Sequence, residues 1–271
     1  MNATARESKQ GHSPPMLLWQ VLLGIFFLGA WQWGASAGLL DRFFFSEPGS
    51  VAARVWKLFI EGEIWTHLAV TVTEALLSFV LGVLLGIVFG LALARMPRLA
   101  SLLNPYLRLA NSLPRVVLAP VFLLWFGLGI WSKVALGVTV VFFIVFFNTF
   151  QGVREVDPVI LNNARMLGAS ERQLIRHVLI PSAMTWIFSS LHISIGFAII
   201  AVVVGEYLGA SKGIGYLIAQ AEGVFDTAGV FAGMTVLAAL VLVVGAGVSR
   251  LEYWLLRWKP QREAVNSRGM V

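Results

Sequence analysis

The residues of this sequence with the chemistry to bind or react are few, and most of them stand among apolar neighbours. Asn111, Ser112, Pro114 and Arg115 interrupt one apolar stretch, Asn148 lies inside a second, and His192 and Glu206 fall within and at the end of a third. Amide, hydroxyl and guanidinium groups in such company suit the handling of a polar solute, because they are costly in a membrane and usually face a bundle interior or a cavity. They do not assemble a hydrolase: no H-E-x-x-H, G-x-S-x-G or cluster of carboxylates occurs. No second ligand stands at metal-site spacing from His192, which reads as a satisfied interior group, and no metal site is expected. The chain has no cysteine, so thiolate sites and disulfides are excluded. Nor can it hold ATP in a phosphate loop: G-x-x-x-x-G-K-[ST] is missing, and Gly209-Ala-Ser-Lys212-Gly213 has the wrong spacing.

The run Asn111-Ser112-Leu113-Pro114-Arg115 is expected to break the helix that carries it, since proline removes a donor and disturbs the preceding turn. A broken helix exposes backbone groups to a polar substrate. Arg115 has two readings there: it attracts an anion, or it snorkels to the membrane surface. Asn148 reads as a hydrogen-bonding contact between helices. Glu206 is a candidate for a gate or an external protein contact by position alone.

A second group of polar residues has a different character. Residues 151–176 hold Arg154, Glu155, Asp157, Arg165, Glu171, Arg172 and Arg176. At about 2.5 kcal/mol for each charge at a helix centre, spanning a bilayer would cost on the order of 17 kcal/mol, so this segment stays outside. Asp157-Pro158 is a helix N-cap with proline at the first helical position, and Gly168 is placed as the left-handed residue that ends a helix of about ten residues. Ser170 with Gln173 forms a capping box for a second helix, expected to stop near Pro181. Ile160, Leu161, Ala164 and Leu167 share one face of the first helix, opposite Asn162 and Arg165. That face fits either a partner's groove or the protein's own ends and the lipid surface.

The elements that position these groups follow from composition. The chain is 58% hydrophobic and 13% charged, against about 25% charged for ordinary soluble domains, and its mean hydropathy is +0.81. This is an all-helical polytopic membrane protein. Six apolar stretches are long enough to span as helices, near 17–35, 68–94, 102–126, 134–149, 184–205 and 230–248. Ala35-Ser36-Ala37 imitates a signal-peptidase site, but the apolar run before it exceeds a signal h-region, so the first helix is retained. Lysine and arginine concentrate on the side of both termini and of the 151–183 loop, which the positive-inside rule places in the cytoplasm. The net charge of +6 is accounted for by that bias, and no nucleic-acid partner is expected. Residues 1–16 read as a polar cytoplasmic leader, 17–259 as the transmembrane domain with the cytoplasmic loop, and 260–271 as a cytoplasmic tail. Residues 41–67 lie outside and are weakly amphipathic, suiting an interfacial helix or a docking surface. Gly82, Gly86, Gly90 and Ala94 form a small-residue stripe on the second span, which favours close helix packing.

The stretch "LNNARMLGASERQLIRHVLIP" resembles the cytoplasmic EAA loop of binding-protein-dependent ABC transporter permeases, whose pattern is approximately E-A-A-x-x-x-G, a spacer, then hydrophobic-x-Leu-Pro. Ala164, Gly168, Ala169, Ile180 and Pro181 carry the match; Asn162 and Asn163 stand where Glu and Ala are expected, and Ile180 replaces the usual Leu. "SLPRVVLAPVFLLWFGLG", "NTFQGVREVDP" and "VVVGEYLGASKGIGYLIAQAEGVFDTAGVFAG" are similar to the branch serving nitrate, taurine, aliphatic sulfonates, bicarbonate and some vitamin precursors.

The resemblance implies a type I importer permease fold in a bacterial inner membrane, working as a homodimer with two cytoplasmic ABC ATPases and an extracytoplasmic binding protein. It implies that Asn162, Asn163, Ala164, Arg165, Leu167, Gly168, Ala169, Ser170 and Arg172 form the coupling helix and adjoining turn. ATP and Mg would then belong to the partner ATPase, with no cofactor on this chain. A stand-alone channel or secondary transporter is the alternative; it accounts for the spans and the broken helix but not for the capped loop.

Overall fold

The computed structural model describes residues 16–255; the tail after 260 and all of the leader but Met16, which opens the first helix, lie outside the described residues. Every regular element is helical: α1 Met16–Ser36, α2 Arg42–Phe45, α3 Pro48–Ile60, α4 Glu63–Ala94, α5 Pro97–Ser112, a 3₁₀ turn Arg115–Leu118, α6 Ala119–Phe126 and α7 Ile130–Arg154. The rest are α8 Pro158–Met166, α9 Glu171–Leu174, a π turn Ile175–Leu179, α10 Ile180–Gly209, α11 Ile214–Gly223 and α12 Thr227–Leu255. Among the described residues five stretches are long and apolar enough to cross a membrane, or six if α5 and α6, bent by 87°, are one span.

α4, α7 and α10 form the centre of the bundle. α4 and α7 run in parallel, because Gly82, Gly86 and Gly90 face Val141, Val145 and Thr149 in the same order. Parallel neighbours need an intervening crossing, which the bent α5–α6 pair provides. A Cβ at Gly86 would stand 2.8 Å from Val145 Cβ and 3.0 Å from the backbone of Phe142 and Phe146. Backbone cannot give way as a side chain can, so Gly86→Val is expected to lose about 1–3 kcal/mol or more and to lower the melting temperature in detergent. Gly24→Val on α1, where nothing lies within 4 Å, should melt with the wild type.

The amphipathic segment after α1 is not merely laid on a lipid surface. Val51 and Leu58 of α3 are buried with Ile64, Ile214, Ile218, Ala232 and Val236, so α3 closes one side of the bundle against α11 and α12. Arg54 also pairs with Asp226 at 3.1 Å, just before α12.

The loop of 155–170 and the turn at 95–96 mark one end of the bundle, called here the loop end. Gly62, Gly127 to Gly129 and 210–213 mark the far end.

Candidate functional site

At the loop end the local signals fold as their chemistry directs. Asp157 Oδ1 accepts from Val159 N at 2.8 Å, which opens α8 with Pro158 in its first turn. Gly168 has φ +82°, and Ala169 N reaches back to Ala164 O at 3.1 Å, satisfying a carbonyl at the end of α8. Ser170 and Gln173 complete the reciprocal capping box at 3.3 and 2.8 Å. Arg95 at the end of α4 pairs with Glu171 at 2.7 Å and ties this turn to the bundle.

The second helix does not stop near Pro181. It runs from Glu171 to Gly209 as one 39-residue stretch, because the π turn at Ile175–Leu179 widens the ladder just before the proline. Ile180 N donates to Ile175 O, five residues back, and buried Leu179 and Ala183 hold the passage in place. Packing against Val153, Val156 and Ile187 outweighs the tendency of proline to end a helix.

α8 divides its surface. Leu161 and Ala164 are half-buried, and Leu161 packs on the cluster of Val153, Val156 and Leu179. Asn162, Asn163, Arg165 and Arg172 are exposed, and Met166 and Leu167 project with 79% and 89% of their surface free. The helix therefore rests on its own bundle by one edge and offers an apolar tip, flanked by Gly168 and Arg165, on the other.

The break in the third span falls at Leu113 and Pro114, both extended, as the steric restriction of a residue before proline requires. Arg115 turns back over it: its guanidinium donates to Ala110 O at 2.6 Å, Asn111 O at 3.1 Å and Asn111 Oδ1 at 3.0 Å, and lies 4.7 Å from the Phe143 ring centroid. It is a cationic cap on the broken end of α5. Ser112 Oγ donates to Leu109 O at 2.8 Å in the same turn.

Before that break α5 presents Ser101, Asn104, Arg108 and Asn111 at alternating spacings of three and four, which is one face of a helix. The face looks onto a cavity of about 540 Å³ shared with Asn148, Gln151 and Arg154 of α7 and Trp186 of α10. Asn148 also donates to Ile144 O at 2.8 Å. His192 lies farther along α10 on its exposed face, with Ser189 one turn before it and Thr185 one turn earlier.

Glu206 belongs to a separate assembly at the far end. It is 1% exposed and accepts from Thr71 Oγ1 at 2.7 Å and Gly215 N at 2.8 Å. Thr71 Oγ1 accepts from Ile214 N at 2.9 Å, and His67 Nδ1 accepts from Gly213 N at 3.0 Å. The first amides of α11, which no helical carbonyl can satisfy, are thus taken by three side chains of α4 and α10. Lys133 and Glu74, 1% and 3% exposed, lie within electrostatic reach of Glu206. Lys133 Nζ also donates to Leu128 O at 2.5 Å and Gly129 O at 3.1 Å. Lys133 immediately precedes the apolar stretch near 134–149 in the sequence, yet it sits inside the bundle in the first turn of α7. Glu74 escaped notice although a carboxylate in a 32-residue apolar helix is itself the signal.

Among the described residues no group of His, Cys, Asp or Glu is arranged to hold a metal ion.

The chain is similar to known proteins over most of its length. Residues 82–259 match the family model described as the binding-protein-dependent transport system inner membrane component. The putative aliphatic sulfonates transport permease SsuC of Bacillus subtilis is 32% identical over 97% of this chain and 95% of its own. The formylaminopyrimidine transport permease ThiX of Halalkalibacterium halodurans is also 32% identical, over 85% of this chain and 92% of its own. The fold is shared with the inward-facing MetNI methionine ABC transporter, with a TM-score of 0.58 at 17% identity, over 74% of this chain and 97% of that one. A matching family model across two thirds of the residues, with the relatives aligned nearly end to end, leaves one conclusion: the chain belongs to the binding-protein-dependent transport system inner membrane components, the membrane-spanning permease subunits of ABC importers.

Proposed function

We propose that two copies of this chain form the translocation path of an importer for a small sulfonate-like or related solute, driven by two cytoplasmic ATPases and supplied by an extracytoplasmic binding protein. The observation that carries this reading is α8: a helix capped at both ends, tied to the bundle by Leu161 and by the Arg95–Glu171 pair in the adjoining turn, with Met166 and Leu167 projecting beyond it. A rigid tip of this kind transmits a push from a docked partner to α7 and α10, the helices on either side of the loop. Asn162, Asn163, Ala164, Arg165, Leu167, Gly168, Ala169, Ser170 and Arg172 are the coupling residues. ATP and Mg are bound by the partner, since this chain holds no phosphate loop.

The loop end faces the cytoplasm in this reading, together with both termini, because that side holds the excess of arginine. The second copy is supported by the exposed faces of α5 and α10. Asn104, Arg108 and Asn111 on one, and Thr185, Ser189 and His192 on the other, are too polar to meet lipid. A facing copy turns them toward a shared interior. Glu206, with Thr71 and His67, anchors the start of α11 at the outer end and closes the path there.

The test is purification of the tagged chain from its host in mild detergent, followed by native mass spectrometry. The expected species contains two copies of the chain and two of an ATPase. Repeated recovery of the folded chain without an ATPase would restore the channel or secondary-transporter reading.

A further inference from the structure

We infer that the cavity between α5 and α7 is a binding site for a small organic anion in transit, with the guanidinium groups of Arg108 and Arg154 as its charge partners. This deepens the permease reading and rests on it. The cavity, about 540 Å³, is of the size that holds a small molecule. Six of its lining groups carry N–H donors: Asn104, Arg108, Asn111, Asn148, Gln151 and Arg154. None of the lining residues is a carboxylate; Glu155 is hydrogen-bonded to Gln151 at 3.0 Å but does not line the space. Arg108 and Arg154 take part in none of the ion pairs among the described residues. Arg108 gives Nε to Asn104 Oδ1 at 3.0 Å, which fixes the guanidinium plane and leaves its terminal nitrogens for a ligand. Arg154 lies 5.4 Å over the Phe150 ring.

Two guanidinium groups with no carboxylate partner line the space, and a solute carrying its own negative charge is the occupant they favour. Apolar side chains share the lining. Phe147, Phe150 and Trp186 line the same space, so an oxyanion head with a short alkyl group is accommodated by both kinds of lining group, whereas a cation meets only repulsion. Arg115 does not line this cavity and caps the broken end of α5 instead.

The test uses the purified complex in phosphatidylcholine nanodiscs with no binding protein added, and radiolabelled ethanesulfonate as the probe. Saturable binding is expected, displaced by methanesulfonate and unaffected by the neutral ethyl methyl sulfone. Arg108→Gln and Arg154→Gln should each weaken it about tenfold or more, with Arg108→Lys in between. Equal displacement by the sulfone, which needs no variant to fold, would overturn the inference, as would wild-type affinity in both glutamine variants. The same anion chemistry could recognise a lipid headgroup. Unchanged binding in phosphatidylglycerol nanodiscs supports a solute in transit, and loss of binding there assigns the site to lipid and overturns the transit role. An ATPase in the same preparation scores the permease reading separately: ATPase present with anion binding absent removes the anion site alone.

Discussion

Gly168→Asp should abolish ATP-driven uptake while the chain still inserts and folds. The left-handed backbone at Gly168, φ +82°, costs most L residues about 1–2 kcal/mol, and aspartate is among those that tolerate it. A Cβ there meets nothing within 4 Å, so the helix and its turn persist. What changes is the surface beside Leu167: on the proposed docking face, a carboxylate would stand where the ATPase is to exclude water. An unpaired charge buried at an interface costs about 3–5 kcal/mol, equivalent to a loss of 100-fold or more in ATPase affinity. Gly168→Asn, which accepts the same backbone conformation without the charge, should retain most of the uptake. Comparison of the two variants by uptake and by recovered ATPase separates charge from strain. Normal ATP-dependent uptake in Gly168→Asp would remove the tip from the docking surface.

The second large effect is expected at the far end. Glu206→Ala takes away the acceptor of both Thr71 Oγ1 and Gly215 N, two buried groups. Each orphaned buried donor costs about 1–3 kcal/mol. A loss of about 2–6 kcal/mol is expected, with Glu206→Gln intermediate because it keeps one acceptor. Thermal melting should rank wild type above Glu206→Gln above Glu206→Ala, and exchange of the Gly213 to Gly215 amides should quicken in the same order. Glu61→Ala, which removes an exposed i,i+4 pair with Lys57, is the control and should melt with the wild type. An Glu206→Ala protein that melts and exchanges as wild type would show that α11 is anchored by its apolar packing alone.

The parts of this molecule legible in the sequence are those decided over a few residues. Asp157, Gly168 and the Ser170–Gln173 box each act within one turn, and each forms the cap its chemistry suggests. Pro114 likewise breaks its helix where a residue before proline must be extended. The glycine row at 82, 86 and 90 announced a close helix contact, although not that α7 would be the neighbour or that it would run parallel. Pro181 misled because a local rule met a tertiary one: the π turn costs less than giving up the buried contacts of Leu179 and Ala183.

The far-end assembly was out of reach for another reason. Glu74, Lys133 and Glu206 come from three helices, and only their burial together gives any of them meaning. Arg115 shows the same limit, since its place as a cap depends on the 87° bend that brings Ala110 and Asn111 back beneath it. The stripe of Ser101, Asn104, Arg108 and Asn111 was readable at helical spacing but is diluted by the leucines between its members.

The central claim is that the tip of α8 is where an ATPase docks, and the absence of native cysteine makes it directly testable. Leu167→Cys would be treated in native membranes with a short thiol-to-amine crosslinker, with Trp33→Cys, exposed on α1 away from the loop end, as the control. The expected result is one adduct joining Leu167→Cys to an ABC ATPase, identified by peptide sequencing and missing from the control. A folded Leu167→Cys chain that yields no ATPase adduct, in membranes where ATP-driven uptake proceeds, would contradict the account.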